Sequence, residues 1–249
     1  MTLEFNFADY WATNSYEMND RVTTIRNLLA IQTADVSYAR YGSQNDGGYV
    51  IADDLYPSDY VISFGVENNI DFEKAISPLV SHIDFYDYSV TGLPEEVPNS
   101  NFYQEKIGTK EGETSIQSCI EKADNLNIFL KIDIEGSEWE TLPVVPSESL
   151  NKCRQILVEF HWFHYLYNLE FYKNAVASLM NLRRTHVPVY VHPNNNVPLL
   201  VIGNAPVPMV CEVLFLRKDT YLTRTPSTIP VDLFHKNDPD QPYMSITFP

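Results

Sequence analysis

The sequence is short of positive charge. It has 17 Lys and Arg against 33 Asp and Glu, a formal net charge of −16. Such a chain repels phosphate backbones and anionic lipid. Arg183-Arg184 is only a pair, and it fits the end of a helix rather than a basic patch. Neither nucleic acid nor a membrane is therefore an expected partner, and a neutral or cationic ligand is easier to place. Cysteine is scarce as well. Cys119, Cys153 and Cys211 are far apart and form no C-x-x-C pair. That argues against a disulfide framework and against a cysteine zinc site. No apolar run approaches membrane-spanning length. The opening "MTLEFNFADYWATNSYE" is acidic and polar-interrupted, unlike a secretory signal. A soluble, cytoplasmic protein is the expectation. There is no G-x-G-x-x-G, which disfavours a nicotinamide Rossmann site.

What is present suits a large core: 44% of the 249 residues are hydrophobic and 13% aromatic. Val22, Ile25, Leu28 and Leu29 have helical spacing over about 18–31, with Asp20 as a cap. Two strand-like runs then flank the turn Asn45-Asp46-Gly47-Gly48. From residue 59 strands and helices alternate. "DYVISFGV", "HIDFYDYSV", "NFYQEKIG", "NIFLKIDIEG", "QILVEFHWF", "VPVYVHPN" and "VCEVLFLRK" read as strands. "DFEKAISPLV", "ETSIQSCIEKA" and 170–184 read as helices. In the first, Phe72, Ala75, Ile76 and Leu79 share a face, capped by Asp71; in the last, Phe171, Ala175, Val176, Leu179 and Met180 do. Apolar runs alternating with helices imply an α/β protein with a mostly parallel sheet covered on both faces. The last two strands have no helical pattern between them and suit an antiparallel edge hairpin. The chain divides into an N-terminal helix and hairpin extension (1–58), the main domain (59–220) and an irregular tail (221–249).

In open α/β sheets, ligands sit at the carboxyl ends of the strands. Those ends carry Phe64 to Asn69, Asp87 to Ser89, Gly108, Asp133 to Gly136, Glu159 to Trp162 and His192 to Asn195. Asp87 fits the place where a carboxylate takes ribose hydroxyls. Asp133 and Glu159 end consecutive strands, where two like charges need a cation between them. Lys131 is one such cation; a ligand or a metal is another. Lys131 lies deeper and reads as structural. Glu135 is divided between the pocket and the turn that Gly136 allows, and Glu138 reads as first-turn helix charge. His161 and His192 are the histidines at strand ends beside these acids. Asp133, Glu159, His161 and His192 also have the chemistry to hold a divalent metal. No tight spacing compels one, so acid–base use ranks first and no metal ligand is assigned.

"RYGSQNDGGYV", "VISFGVENNIDFE", "DFYDYSV", "LKIDIEGSEWE", "ILVEFHWF", "VHPNN" and "VCEVLFL", in that order from about Arg40 to Lys218, resemble the FkbM-like S-adenosylmethionine-dependent methyltransferases. The resemblance implies a Rossmann-like class I methyltransferase fold, a seven-stranded sheet of order 3-2-1-4-5-7-6. It implies cofactor contacts from Phe64, Gly65, Val66, Glu67 and Asn68 at the methionine end, from Asp87 and Tyr88 at the ribose, and from Gly108. Asp133 would lie near the sulfonium, with Asp46 and Gly48 closing one side. The single glycine of "GVENNID" and the "YDYS" of the second strand depart from the usual pattern. Relatives mostly methylate hydroxyls, so a sugar or other small-molecule O-methyltransferase is implied. The base would be His161 or His192, oriented by Glu159 or Asp133, with Tyr88 or Trp162 offering an aromatic face to the sulfonium. The rivals are a non-catalytic binding module and a metal-dependent sugar methyltransferase. The sequence names neither the acceptor nor an oligomeric state.

Overall fold

The computed structural model describes residues 15–124, 127–203, 205–221 and 229–244. A hairpin of β1 (Tyr38–Gly42) and β2 (Gly48–Ala52) precedes the main sheet. The first five strands of that sheet are β3 (Tyr60–Phe64), β4 (His82–Tyr86), β5 (Ser100–Tyr103), β6 (Ile128–Ile132) and β7 (Cys153–Phe160). Then come β8 (His186–Pro193), a small separate hairpin of β9 (Leu199–Ile202) and β10 (Ala205–Pro208), and finally β11 (Cys211–Arg217). The spatial order is β5-β4-β3-β6-β7-β11-β8. Strand β11 runs antiparallel to both β7 and β8, while the other neighbours in the sheet pair in parallel. This is the expected seven-stranded arrangement with its antiparallel pair at one edge.

The helices are α1 (Ser15–Leu28), α2 (Asp71–Ile76), α3 (Ile116–Ala123), α4 (Glu138–Thr141), α5 (Ser147–Leu150), α6 (Leu169–Thr185) and α7 (Lys218–Tyr221). The sheet sorts its side chains by alternation. Ile62, Phe64, Leu130, Ile132, Val213 and Phe215 join one buried cluster, together with α1, α3 and α6. Val61, Phe129, Leu214 and Leu216 join a second, with the β1–β2 hairpin, α2 and Tyr221. Both faces are covered, which is why the strands read as apolar runs. Cys119, Cys153 and Cys211 are free and buried. Among the described residues no helix is long and apolar enough to cross a membrane.

Several element boundaries differ from the sequence reading. Helix α1 begins three residues earlier than 18, because Met18 shares the buried stripe with Val22 and Ile25. Asp20 therefore lies inside the helix, where its carbonyl accepts from the Thr24 hydroxyl. Helix α6 is capped by Asn168, whose side-chain oxygen accepts from the Glu170 and Phe171 amides. Met180, expected inside, is 57% exposed. Asn181 takes the inner position instead, donating to the Leu142 and Val145 carbonyls. In α2 the inward residue is Glu73 rather than Ala75, because Glu73 meets Ser63 and Lys131 beneath the sheet edge. Asp71 is the first helical residue and not a cap. The short helices α4 and α5 and the β9–β10 hairpin carry too few residues to show a periodic pattern. Residues 1–14 of the expected extension, and 222–228 and 245–249 of the expected tail, lie outside the described residues.

Candidate active site

An open cavity of about 750 Å³ lies at the carboxyl ends of the strands. That volume is within the range for small-molecule and cofactor sites. Its floor is made where β3 and β6 end side by side. The Asp133 amide donates to the Phe64 carbonyl at 3.1 Å, and the Gly65 amide to the Tyr86 carbonyl at 3.0 Å. The chain turns at Gly65 with φ +73°, and a Cβ there would sit 1.5 Å from the Asp133 carbonyl oxygen. Only glycine lets the two strand ends close this tightly. The residues that follow line the cavity as Val66 and Glu67. Glu67 and, across the floor, Glu135 hold positive φ of 42° and 53°. Non-glycine residues in that region cost free energy and gather at binding sites.

Asp87, at the end of β4, organises this loop. Its Oδ2 accepts from the Val66 and Glu67 amides at 2.9 and 2.8 Å, and its Oδ1 from the Ser89 amide and hydroxyl, each at 2.7 Å. Burial pushes its pKa up, but these donors more than offset that and hold it below the usual carboxylate value. Asp87 is thus a staple for the first loop as well as part of the cavity wall.

The other wall is the tip of the β1–β2 hairpin. Asp46, Gly47 and Tyr49 line the cavity, and Asn69 ties the tip to the first loop by donating to the Asp46 carbonyl at 3.3 Å. Tyr49 reaches inward. Its hydroxyl lies 3.4 Å from Asp133 Oδ2 and 3.3 Å from Glu159 Oε2, bridging the acids of β6 and β7. Lys131 is fully enclosed. Its Nζ donates to the Gly65 carbonyl at 3.0 Å and faces Glu73 Oε1 at 3.7 Å and Asp133 Oδ2 at 3.6 Å. Burial works against its charge, yet Glu73, Asp133 and Glu159 raise its pKa overall. The structural reading of Lys131 holds, with Glu73 as the unanticipated partner.

His161 stands at the end of β7. Its Nδ1 lies 3.3 Å from Glu138 Oε1, and its Nε2 faces Glu135 at 3.7 Å and Asp133 at 3.9 Å. Burial opposes protonation, but Glu138, Asp133 and Glu159 outweigh it and raise the pKa to about 10. The surrounding acids thus favour the protonated ring, which counts against the expected role of His161 as base. Glu138 stands in the first turn of α4 as expected, but it is fully buried, and its Oε1 also accepts from the Ile134 amide at 2.9 Å. Next to His161, Trp162 takes φ 68° and lies against Gly136, where a Cβ would meet the indole at 2.5 Å.

His192 does not reach the cavity. Strand β11 stands between β7 and β8, and Glu212 pairs in register with both Glu159 and His192. The His192 ring is buried against Tyr190, its Nε2 meets Asn237 at 3.1 Å, and burial lowers its pKa to about 4. Glu212 is the residue whose place the sequence did not convey. Its Oε1 accepts from the Asn237 side-chain amide at 2.6 Å, while its Oε2 has no hydrogen-bond partner among the described residues. Burial raises Glu212 to about 7 and, with Asp133 and Glu212 nearby, lifts Glu159 well above the usual carboxylate range.

Of the expected cofactor contacts, Asp46, Gly65, Val66, Glu67, Asp87, Tyr88 and Asp133 line the cavity. Phe64 does not: it is buried against Tyr86 in the core, its ring centroid 5.5 Å away. Asn68 is an exposed loop residue outside the lining, and Gly48 pairs with Gly42 inside the hairpin. Gly108 makes room for the Glu113 carboxylate, which would be 1.9 Å from a Cβ there. Lys106, Ile107 and Lys110 line that end instead, as Asn194 and Asn196 line the far one. These residues sit in loops without a periodic signal. The residues present fit S-adenosylmethionine: a backbone loop at Gly65, a carboxylate at Asp87 and acids around Asp133 to face a sulfonium.

Residues 31–184 match the methyltransferase FkbM domain family. No curated protein is similar to the chain. Solved structures with some likeness include an rRNA methylase from Streptococcus thermophilus, 11% identical over 66% of this chain and 89% of that one, with a TM-score of 0.36. A putative methyltransferase from Streptococcus mutans in complex with SAH is 11% identical over 66% and 88%, with a TM-score of 0.35. Those likenesses are too distant to speak to a substrate. The family match spans more than half of the 249 residues, and with it the chain belongs to the FkbM methyltransferase domain family and is an S-adenosylmethionine-dependent methyltransferase.

Proposed function

We propose that this enzyme methylates a hydroxyl group of a small, hydroxyl-rich acceptor, a sugar or glycan. The observation that carries the reading is the acceptor end of the cavity. There Asp133, Glu135, His161, Asn194 and Asn196 line an open space together with the aromatic side chain of Trp162. Dense acceptors and donors next to an aromatic face suit a polyol better than an apolar phenol. The carboxylate-rich wall and the net charge of −16 disfavour nucleic acid. The three buried, free cysteines accord with a reducing, cytoplasmic setting.

The bound cofactor supplies an electrophilic methyl group. The chain's own residues orient the acceptor and take its proton. Asp133 is the proton acceptor in this reading. It is 22% exposed, it faces the cavity, and Tyr49 and Lys131 fix its Oδ2. His161, set among Asp133, Glu135 and Glu138, orients Asp133 rather than taking the proton itself. The test offers the purified enzyme radiolabelled S-adenosylmethionine with glycans, nucleotide sugars, small phenols and RNA, and measures cofactor binding separately. Label on a carbohydrate hydroxyl is the expected result. Label on RNA or a phenol alone would overturn the acceptor class, and failure to bind the cofactor would revive a non-catalytic binding module.

A further inference from the structure

We propose that Asp133, Glu135 and His161 form a binding site for a divalent cation, and that this cation takes an oxygen of the acceptor; the second half rests on the methyl-transfer reading above. One ligand atom from each of the three residues lies within 4.8 Å of the others. The residues come from the ends of β6 and β7, adjacent parallel strands, so the spacing is fixed by the sheet. His161 is 6% exposed, and its Nε2 points between the two carboxylates with no hydrogen-bond partner among the described residues. Behind the ring, Nδ1 meets the Glu159 carbonyl at 3.1 Å and the buried Glu138 carboxylate at 3.3 Å. A carboxylate behind a histidine fixes its tautomer and presents the opposite nitrogen to a metal.

Charge supports the same conclusion. Eight carboxylates and three lysines line the cavity. Lys131 is taken up by Glu73 and Asp133, and Lys106 by Glu113. S-adenosylmethionine adds only one net positive charge. The lining thus carries more acids than cations, and a divalent cation at Asp133 and Glu135 offsets part of that excess. Two carboxylates and one imidazole suit Mg²⁺, Mn²⁺ or Zn²⁺ and leave coordination positions free. Glu135 is 71% exposed, so the site opens to the acceptor side. Seating the cation displaces the Nε2 proton to solvent. The cation then polarises the acceptor hydroxyl, and Asp133 Oδ2 still takes its proton. A vicinal diol, which offers two oxygens, is the acceptor chemistry this favours.

The rival arrangement has the imidazolium as the only cation, and Mn²⁺ titration separates the two. Electron paramagnetic resonance of Mn²⁺ added to the purified chain should show one bound ion per chain. Glu135→Gln changes an exposed side chain and should fold normally; it and His161→Gln should each weaken binding roughly tenfold or more. A free-ion signal throughout with wild type, or equal binding by both variants, overturns the site. Cofactor affinity measured by calorimetry in a chelator should be unchanged, while transfer to a diol-bearing acceptor should be lost. Full transfer in the chelator overturns the acceptor role. If Mn²⁺ binds and no hydroxyl acceptor is ever labelled, the methyl-transfer reading fails and the cation site stands.

Discussion

Replacing Glu212 with glutamine removes a buried titration without removing the side chain's one hydrogen bond. Glu212 is 1% exposed, and its Oε1, the atom that accepts from Asn237, has a counterpart in glutamine. Below pH 4.5 the carboxyl is protonated in folded and unfolded chains alike. Between there and about 7 the unfolded chain releases the proton and the folded chain keeps it, so stability falls as pH rises. Above that range the folded protein carries a buried carboxylate beside Glu159. The displacement corresponds to about 3 kcal/mol of stability lost across the window. Glutamine has no such titration. Urea unfolding of both proteins, followed by tryptophan fluorescence, should therefore show little difference below pH 4.5. The variant should lead by a few kcal/mol above pH 7, on the order of that 3 kcal/mol. Comparing the two proteins cancels the shared carboxylates except Glu159, which Glu212 itself lifts, so its release adds to the variant's lead. Parallel stability curves for wild type and variant would refute the reasoning, because Glu212 would then ionise alike in the folded and unfolded chains.

Asp87→Ala removes the acceptor of four hydrogen bonds, two from the first loop and two from Ser89; calorimetry should show cofactor affinity at least about tenfold weaker, and unchanged affinity would remove Asp87 from the cofactor wall. Gly65→Ala places a Cβ against the Asp133 carbonyl at φ +73°; a loss of more than about 2 kcal/mol in urea unfolding is expected, with weaker cofactor binding. Arg154→Met strips the partner from Asp59 and Asp54, which Arg154 holds together with the Tyr221 hydroxyl; a destabilisation of about 3–5 kcal/mol should follow, and a neutral result would mean that those acids find other partners.

The strand-and-helix alternation was legible because a buried parallel sheet demands apolar runs, and "VISF", "IFLKI" and "ILVEF" supply them. The ends of those runs gave Gly65, Asp87, Asp133, Glu159 and His161, since a strand's polar end is local information. What stayed hidden depends on partners distant in the chain. Glu73 reads as a surface helix residue until Lys131 and Ser63 come beneath it. Glu138 reads as helix-end charge until His161, on the next strand, turns Nδ1 toward it. His192 reads as a second catalytic histidine because it ends a strand on the same edge of the sheet, whereas its ring meets Asn237 and does not line the cavity, with Glu212 of β11 between the two histidine-bearing strands.

By itself, then, the sequence determined the architecture, the motif set that places the chain among FkbM methyltransferases, and the edge of the sheet where the cavity opens. These follow from periodicity and from residue types at strand ends, which neighbours in the chain largely decide. Tertiary structure alone decided which acids share a cation, which are buried, and which surround His161. Those properties depend on distances of a few ångströms between residues tens of positions apart, and on how completely water is excluded from them.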